Sequence, residues 1–514
     1  MKGTLARVLL GAMALGGASA ATAGTEPMFY PLIQSTAVST PNSINELENP
    51  FQVPAGLKQR LLTNLAEVEA DVNQSIQRVM AGNVSSMFDM VAYDPSGRYI
   101  FIPHETPFGA GVTRYDTETD TAELLMAGDQ ESSINSECDP TGDCPAWDND
   151  FAAFDPARWT PNGTLWLGEE WSGLGRIVEI LNPLAPADEI EFRVLDSIAR
   201  VSHEGISFSE EAEGWNRVVY YVDEWNSGSI YKFVATRPGD WTEGQTFVLR
   251  VNAYRGDPAD LWNDPSNESE PRTGPARWVP LTLRFGIPRA VATVDPFQDG
   301  PTNDPRTNDD TRGGRSSADE FRGTPYGRPE DMIISTLANG NEVIYFAATS
   351  EATVYSVEMT GGPLGRAAVV RKFASRETPK NVGFDSTTGT LSSPDNLALD
   401  HDGNVYIIED KPNRDAIGGD TWFARDTDNN GVAESLDHFL SIQADGSEAT
   451  GMMFHPTNPN IFVMAVQHPD STNIARDDDE DGMADYPCAQ TVPHTCAGDA
   501  LWEFDMSEMV NPNE

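Results

Sequence analysis

The chain has 514 residues, with 34 basic side chains against 80 acidic ones and a formal net charge of −46. That charge repels nucleic acid and anionic membrane surfaces, which excludes both as partners, and it repels a phosphate ester as well unless cations are bound. The length suits one large propeller or several ordinary domains.

Taken in chain order, Lys2 and Arg7 precede an apolar run from Val8 to Ala18, followed by small residues at Ala18-Ser19-Ala20 and Ala21-Thr22-Ala23. This layout predicts a cleaved signal peptide over residues 1–23 and a periplasmic or extracellular protein. The run is too short to cross a bilayer, and no later stretch approaches ~20 continuous apolar residues, so no membrane span is expected. Residues 24–82 read as an N-terminal extension. In it, Leu57, Leu61, Leu65, Val68, Val72, Ile76 and Val79 form a helical stripe. The stripe predicts an amphipathic helix packed on the outside of the main body.

From residue 83 to 514 the pattern is β. An apolar strand, a Pro, Gly or Asn turn and a second apolar strand ending in acid recur at 90–105, 159–170, 206–224, 397–410 and 452–469, with a looser copy at 330–350. Six such units predict an all-β, six-bladed β-propeller, with a long polar insertion at about 238–326. A sandwich or two smaller domains fit the same alternation.

Four cysteines fall in two close pairs, CDPTGDC and CAQTVPHTC. Export favours two local disulfides, Cys138–Cys144 and Cys488–Cys496, out of three possible pairings. Neither pair has the short spacing usual for zinc.

Two acidic loops stand out. ARDTDNNGVAE from Ala424 is repeated as ARDDDEDGMAD from Ala475, about one blade further on. Asp426, Asp428 and Asn430 alternate ahead of Gly431, with Glu434 and Asp437 following; Asp477, Asp479 and Asp481 alternate ahead of Gly482, with Asp485 after them. Alternate oxygens on a tight loop converge on one hard cation, so both loops predict structural calcium. Acidic pairs also close or adjoin the apolar strands: His104-Glu105, Glu169-Glu170, His203-Glu204, Asp223-Glu224 and Glu409-Asp410. Gathered around one axis, such like charges are costly without cations. Arg328 and Glu330, in GRPED (327–331), place a guanidinium fork beside carboxylates, a pairing suited to holding phosphate near a metal. No nucleophile elbow, P-loop or zincin motif is present.

TPNGTLWLGEE (160–170), SHEG (202–205), GRPED (327–331), SSPDNLALDHDGNVYIIED (392–410), EATG (448–451) and Gln467-His468-Pro469 occur in that order. As an ordered set they resemble the PhoX family of extracellular phosphatases, from about Phe51 to the C-terminus. The resemblance implies a six-bladed propeller that hydrolyses phosphate monoesters with calcium and, in characterised members, iron at the channel mouth. Carried over by motif, Glu169 or Glu170, Glu204, Glu330, Asp395 and Glu448 become candidate metal ligands. Arg328 becomes the phosphate ligand, and Asn396 positions a ligand or the substrate. Where the family carries an iron-binding cysteine this chain reads FDPARWTPNGT with Asp155, and its leader has no twin arginine. Both departures favour several calcium ions over iron. The expected partner is a small phosphorylated substrate, and the expected state a monomer. Two other readings share the acidic strand ends: a non-catalytic, calcium-stabilised binding propeller and a lactonase-like propeller hydrolase. Arg328 separates them, because a phosphate site needs it and a lactone site does not.

Overall fold

A computed structural model describes residues 27–37, 49–72, 78–80, 83–85, 88–106, 109–129, 148–171, 175–257, 261–265, 267–289, 313–411, 416–444, 446–469 and 498–512. The leader, the four cysteines and the second acidic loop with Asp477, Asp479, Asp481 and Asp485 lie outside the described residues. Among the described residues, no helix is long and apolar enough to cross a membrane.

The chain is a ring of antiparallel meanders. The first comprises Ala92–Tyr93, Tyr99–Pro103, Gly111–Asp116 and Thr121–Ala127; the second, Phe154–Trp159, Leu165–Glu169, Ile177–Ile180 and Phe192–Val194. The third runs through Ile206–Phe208, Val218–Val222, Ile230–Arg237 and Asp240–Val251. The fourth runs through Pro329–Thr336, Glu342–Ala348, Thr353–Glu358 and Ala367–Ser375. An extra strand, Gly274–Pro280, pairs with the outer strands of both and joins them into one nine-stranded sheet. The fifth holds Pro394–Leu399, Val405–Glu409, Asp420–Arg425 and Ser435–Ile442, with Phe51–Gln52 on its edge. The sixth holds Glu448–Phe454, Ile461–Gln467 and Ala500–Asp505, and its outer strand is Lys58–Asn64 from the chain's start.

Six apolar clusters lie between consecutive meanders. That around Tyr220, Trp278 and Phe346 joins the third to the fourth, for example, and that around Val91, Ile100, Val463 and Leu501 joins the sixth back to the first. Each sheet is therefore covered on both faces by its neighbours, which is why its strands read as near-continuous apolar runs. The six hairpins read from the sequence are the first two strands of the six meanders, a β-propeller arrangement.

Two expectations change. The helical stripe from Leu57 is half strand: Lys58–Asn64 pairs with Ala500–Asp505, and helix begins only at Leu65–Val72. The switch falls at a capping box, where Asn64 Oδ1 accepts from Glu67 N at 3.0 Å and Glu67 Oε2 accepts from Asn64 N at 3.3 Å. Strand pairing across the ring overrides the 3.6-residue period before that cap. The two acidic loops, in turn, do not fall at equivalent places in the order of strands along the sequence. The first links Asp420–Arg425 to Ser435–Ile442, the third and fourth strands of its meander; the second falls in sequence between Ile461–Gln467 and Ala500–Asp505, the second and third strands of the next.

Candidate metal centre at the acidic mouth

The innermost strand of each meander starts at the same end of the ring, and each brings one carboxylate there: Asp89, Asp155, Glu204, Glu330, Asp395 and Glu448. The hairpin partner strands end beside them and add Glu105, Glu170, Asp410 and Gln467. Together with Arg328 these residues line a cavity of ≈ 180 Å³. Among the described residues, nine carboxylates thus face one guanidinium.

Register decides which acid of each adjacent pair turns inward. Phe88 bridges His104, Phe154 pairs with Glu169, and Pro394 pairs with Glu409. The residue after each member of these pairs faces the mouth: Asp89 with Glu105, Asp155 with Glu170, and Asp395 with Asp410. Bulges between Pro329 and Met332 and between Pro394 and Leu397 re-aim side chains at two of these strand starts. Gly205 is required for a different reason. A Cβ there would lie 2.5 Å from Met332 N and 2.6 Å from Glu330 O, so only glycine lets the Glu204 segment approach Glu330 this closely.

The carboxylates form three groups, the last two sharing Asp395: Asp89, Glu105 and Asp155; Glu204, Glu330 and Asp395; and Asp395, Asp410 and Glu448. Within each, one ligand atom per residue lies within 4.8 Å of the others. Burial pushes the Asp89 carboxyl up to about 7. Burial, reinforced by the neighbouring charges, holds Asp155, Glu204, Asp395 and Glu448 well above the usual carboxylate range. Asp155 Oδ1 and Glu204 Oε2 are buried without a hydrogen-bond partner among the described residues. Buried oxygens left bare in a ring of like charge are what a hard cation satisfies, and all the lining donors are oxygens apart from Arg328 and the Gln467 amide nitrogen. That donor set fits calcium.

Arg328 is held on the rim. Its Nε lies 2.5 Å from Glu224 Oε1 and its Nη2 3.2 Å from Glu330 Oε1, while about a third of the side chain stays exposed. The backbone there is left-handed, with φ of 53°, although the residue is not glycine. Such a conformation costs about 1–3 kcal/mol and persists only where its surroundings enforce it. Here Arg328 N donates to Trp225 O at 2.9 Å, and Gly327 packs so closely on Trp262 that a Cβ would lie 2.4 Å from its ring nitrogen. The segment read as an insertion therefore supports the rim. Its helix Gly313–Glu320 also carries Arg315, which pairs bidentately with Asp223, beside Glu224, at 2.7 and 2.8 Å.

Of the candidates read from the sequence, Glu170, Glu204, Arg328, Glu330, Asp395 and Glu448 come together. Glu169 does not: it turns away, ion-paired with Arg176 at 2.7 Å and accepting from Ala152 N at 3.0 Å. Asn396 lies just below the mouth as a strut. Its amide nitrogen donates to Asp395 Oδ1 at 2.7 Å, and its Oδ1 accepts from Thr450 Oγ1 at 2.7 Å. His104 and His203 are buried with their rings bonded to Thr113 Oγ1 and Ala199 O, and desolvation lowers both to about 3, so they are neutral. Glu105 and Asp410, read only as acidic strand ends, Asp155, noted only at the cysteine position, and Gln467, quoted only within a motif, also line the mouth, while Asp89 is not singled out by the sequence at all. Asp89 is tied to the sixth meander by Thr450 Oγ1 at 2.5 Å and by the Gln467 amide.

In the first acidic loop, Asp426, Asp428 and Glu434 bring oxygens within 4.8 Å of one another. Asp426 also accepts from Asn430 N and Gly431 N at 3.0 and 2.8 Å, which closes the loop. Asn430 contributes this backbone contact, its side chain being exposed. Asp437 is not part of the group: it sits on the next strand, buried and bidentate to Arg425 at 2.7 and 2.8 Å. The strand's alternation turns it inward, away from the loop.

A family described as alkaline phosphatase PhoX matches residues 130–470. No curated protein matches the chain. Among solved structures, PhoX of Pseudomonas fluorescens in complex with vanadate, a transition-state analogue, is similar at a TM-score of 0.58 and 14% identity. That match covers 93% of this chain and 98% of its own. A gluconolactonase of Xanthomonas campestris aligns at 0.37 and 10% identity over 94% and 98% of the two chains. A virginiamycin B lyase of Staphylococcus aureus aligns at 0.36 and 8% identity over 87% and 99%.

Proposed function

The chain belongs to the PhoX alkaline phosphatase family, and on that premise we propose that it hydrolyses phosphate monoesters at the acidic mouth, with calcium ions held there by the converging carboxylates. It is a metal-dependent phosphatase by family; the substrate class, the identity of the metal and the residues that hold it are our reading. The observation that carries it is the guanidinium of Arg328, the one set among nine carboxylates in the described lining of the mouth. A site built only to hold cations has no use for an exposed arginine. A site that must hold both cations and a phosphoryl group does.

The residues divide the work. Glu204, Glu330 and Asp395 would hold one cation; Asp395, Asp410 and Glu448 a second; and Asp89, Glu105 and Asp155 a third, Glu170 standing beside them. Bound calcium supplies positive charge for the phosphoryl oxygens and makes a water more acidic. Arg328 reaches in from the rim, donates to a phosphoryl oxygen and stabilises the charge that develops as the ester bond breaks. Glu224 and Glu330 aim its fork and keep it protonated. Asn396 and Gln467 fix the carboxylates of Asp395 and Asp89 in place.

Asp426, Asp428 and Glu434 would bind a further, structural calcium. Export by the leader at residues 1–23 and a monomeric state belong to the same proposal. The test is an aryl phosphate assay on protein stripped of metal and reloaded with calcium. Turnover is expected with calcium alone, and no turnover with calcium, iron, manganese or zinc would overturn the reading.

A further inference from the structure

We propose that the ion pair between Arg158 and buried Asp331 is a positioning device that sets the spacing of the mouth carboxylates and thereby their affinity for cations; this rests on the reading that the mouth binds cations. Neither residue lines the mouth. Both line a second cavity of ≈ 390 Å³, walled by Met90, Ile206, Leu397 and other residues further along the same inner strands. The pair marks the boundary between the acidic and apolar parts of the ring's interior.

Its contacts reach almost every strand that carries a ligand. Arg158 Nη2 donates to Asp331 Oδ1 at 2.7 Å and touches Met90 Sδ at 3.2 Å, and Nε donates to Ile206 O at 3.2 Å. Asp331 Oδ1 accepts from Met332 N at 2.7 Å and Oδ2 from Leu397 N at 3.1 Å. Met90 follows Asp89, Asp331 follows Glu330, Ile206 and Leu397 lie two past Glu204 and Asp395, and Arg158 lies three past Asp155. One ion pair therefore fixes five of the six strand starts against one another. The sixth, at Glu448, is tied in separately through Thr450 to Asp89 and Asn396. Like charges converging in a small cavity push the strands apart, and an unbraced ring relieves that repulsion by widening. The brace holds the oxygens at ligand spacing before a cation arrives, so less of the binding energy goes into drawing them together.

The experiment is a calorimetric calcium titration of the metal-free full-length protein, wild type against Asp331→Asn, Arg158→Lys and the double variant, with melting temperatures measured in parallel. Asp331→Asn is nearly isosteric and Arg158→Lys keeps the charge, so at least one of the two is expected to fold. Calcium binding should weaken roughly 10- to 100-fold in Asp331→Asn, the usual size for losing a group that orients ligands. Arg158→Lys should fall between it and wild type, and the double variant should be no weaker than Asp331→Asn, because both act through one contact. Variants that melt earlier but bind calcium like wild type would overturn the positioning role alone. A wild type that binds no calcium would overturn this inference and the functional reading together.

Discussion

Glu169 and Glu170 are neighbours in the chain and face opposite ways: Glu169 is closed into an ion pair with Arg176 at 2.7 Å, while Glu170 opens onto the acidic mouth. Their substitutions should separate cleanly. Glu169→Gln leaves Arg176 without its buried partner and should cost roughly 3 kcal/mol in urea unfolding, with calcium affinity preserved in the folded fraction. Glu170→Gln should leave the metal-free protein as stable or more so, because it removes one of several crowded like charges, and should weaken calcium binding. Matching effects in the two variants would contradict the assignment.

Arg328→Ala should lower turnover roughly a hundredfold, the usual size for losing one preorganised charge-stabilising donor. Arg328→Lys should recover little, because a point charge cannot replace the planar fork. Arg328→Gly should be as inactive as the alanine variant yet more stable by about 1 kcal/mol, since only glycine adopts a φ of 53° without strain. Full activity in Arg328→Ala would remove the residue from the mechanism.

Calcium should stabilise the protein more at pH 8 than at pH 5. In the metal-free protein, burial raises the Asp155, Glu204, Glu330, Asp395 and Glu448 carboxyls, and Asp89 to about 7. A raised carboxyl holds its proton in the folded state where the unfolded chain has lost it. Its contribution to stability is whole below the ordinary carboxylate value near ~4 and is lost as pH rises through the folded value. Buried His104 and His203, lowered to about 3, act in the opposite sense below their ordinary value, as does Lys232, lowered to about 7, at higher pH. None of these three lines the mouth, so they cancel in the difference between melting curves with and without calcium. A calcium-induced shift in Tm that shrinks with rising pH would refute the carboxylate account.

Asp426→Ala should lower the melting temperature in calcium and change it little in chelator, because a cation bound only by the folded state adds stability by mass action. Turnover should persist, since the Asp426 loop lies outside the acidic mouth. An equal drop in both conditions would mean that Asp426 acts through its hydrogen bonds to Asn430 and Gly431 alone.

The sequence carried the hairpins and the acidic strand ends because both are local patterns. Which acid of a pair faces the axis was not legible, because it depends on the pairing partner: Glu170 is inward only because Phe154 pairs with Glu169. Asp89 was invisible for a related reason. It precedes a two-residue strand, Ala92–Tyr93, too short to show alternation, and its partners Thr450 and Gln467 come from the far end of the chain. Asp437 fitted the calcium-loop spacing by offset, yet strand alternation gave it to Arg425. The stripe beginning at Leu57 misled because helical and strand periods coincide over short stretches, and the deciding partner, Ala500–Asp505, lies at the opposite terminus.

That last pairing has a kinetic consequence. Arg60 and Glu503, cross-strand neighbours, are 443 positions apart, so the ring closes only when the two ends of the chain meet. Pairings this distant make for slow folding, and the closing event waits until Ala500–Asp505 has been synthesised. Until then the sixth meander lacks its outer strand, and Leu501, Trp502 and Phe504 belong to a sheet with an open edge. A chain truncated before Ala500 therefore has no partner for Lys58–Asn64, and its expected fate is aggregation at that edge rather than a smaller folded ring.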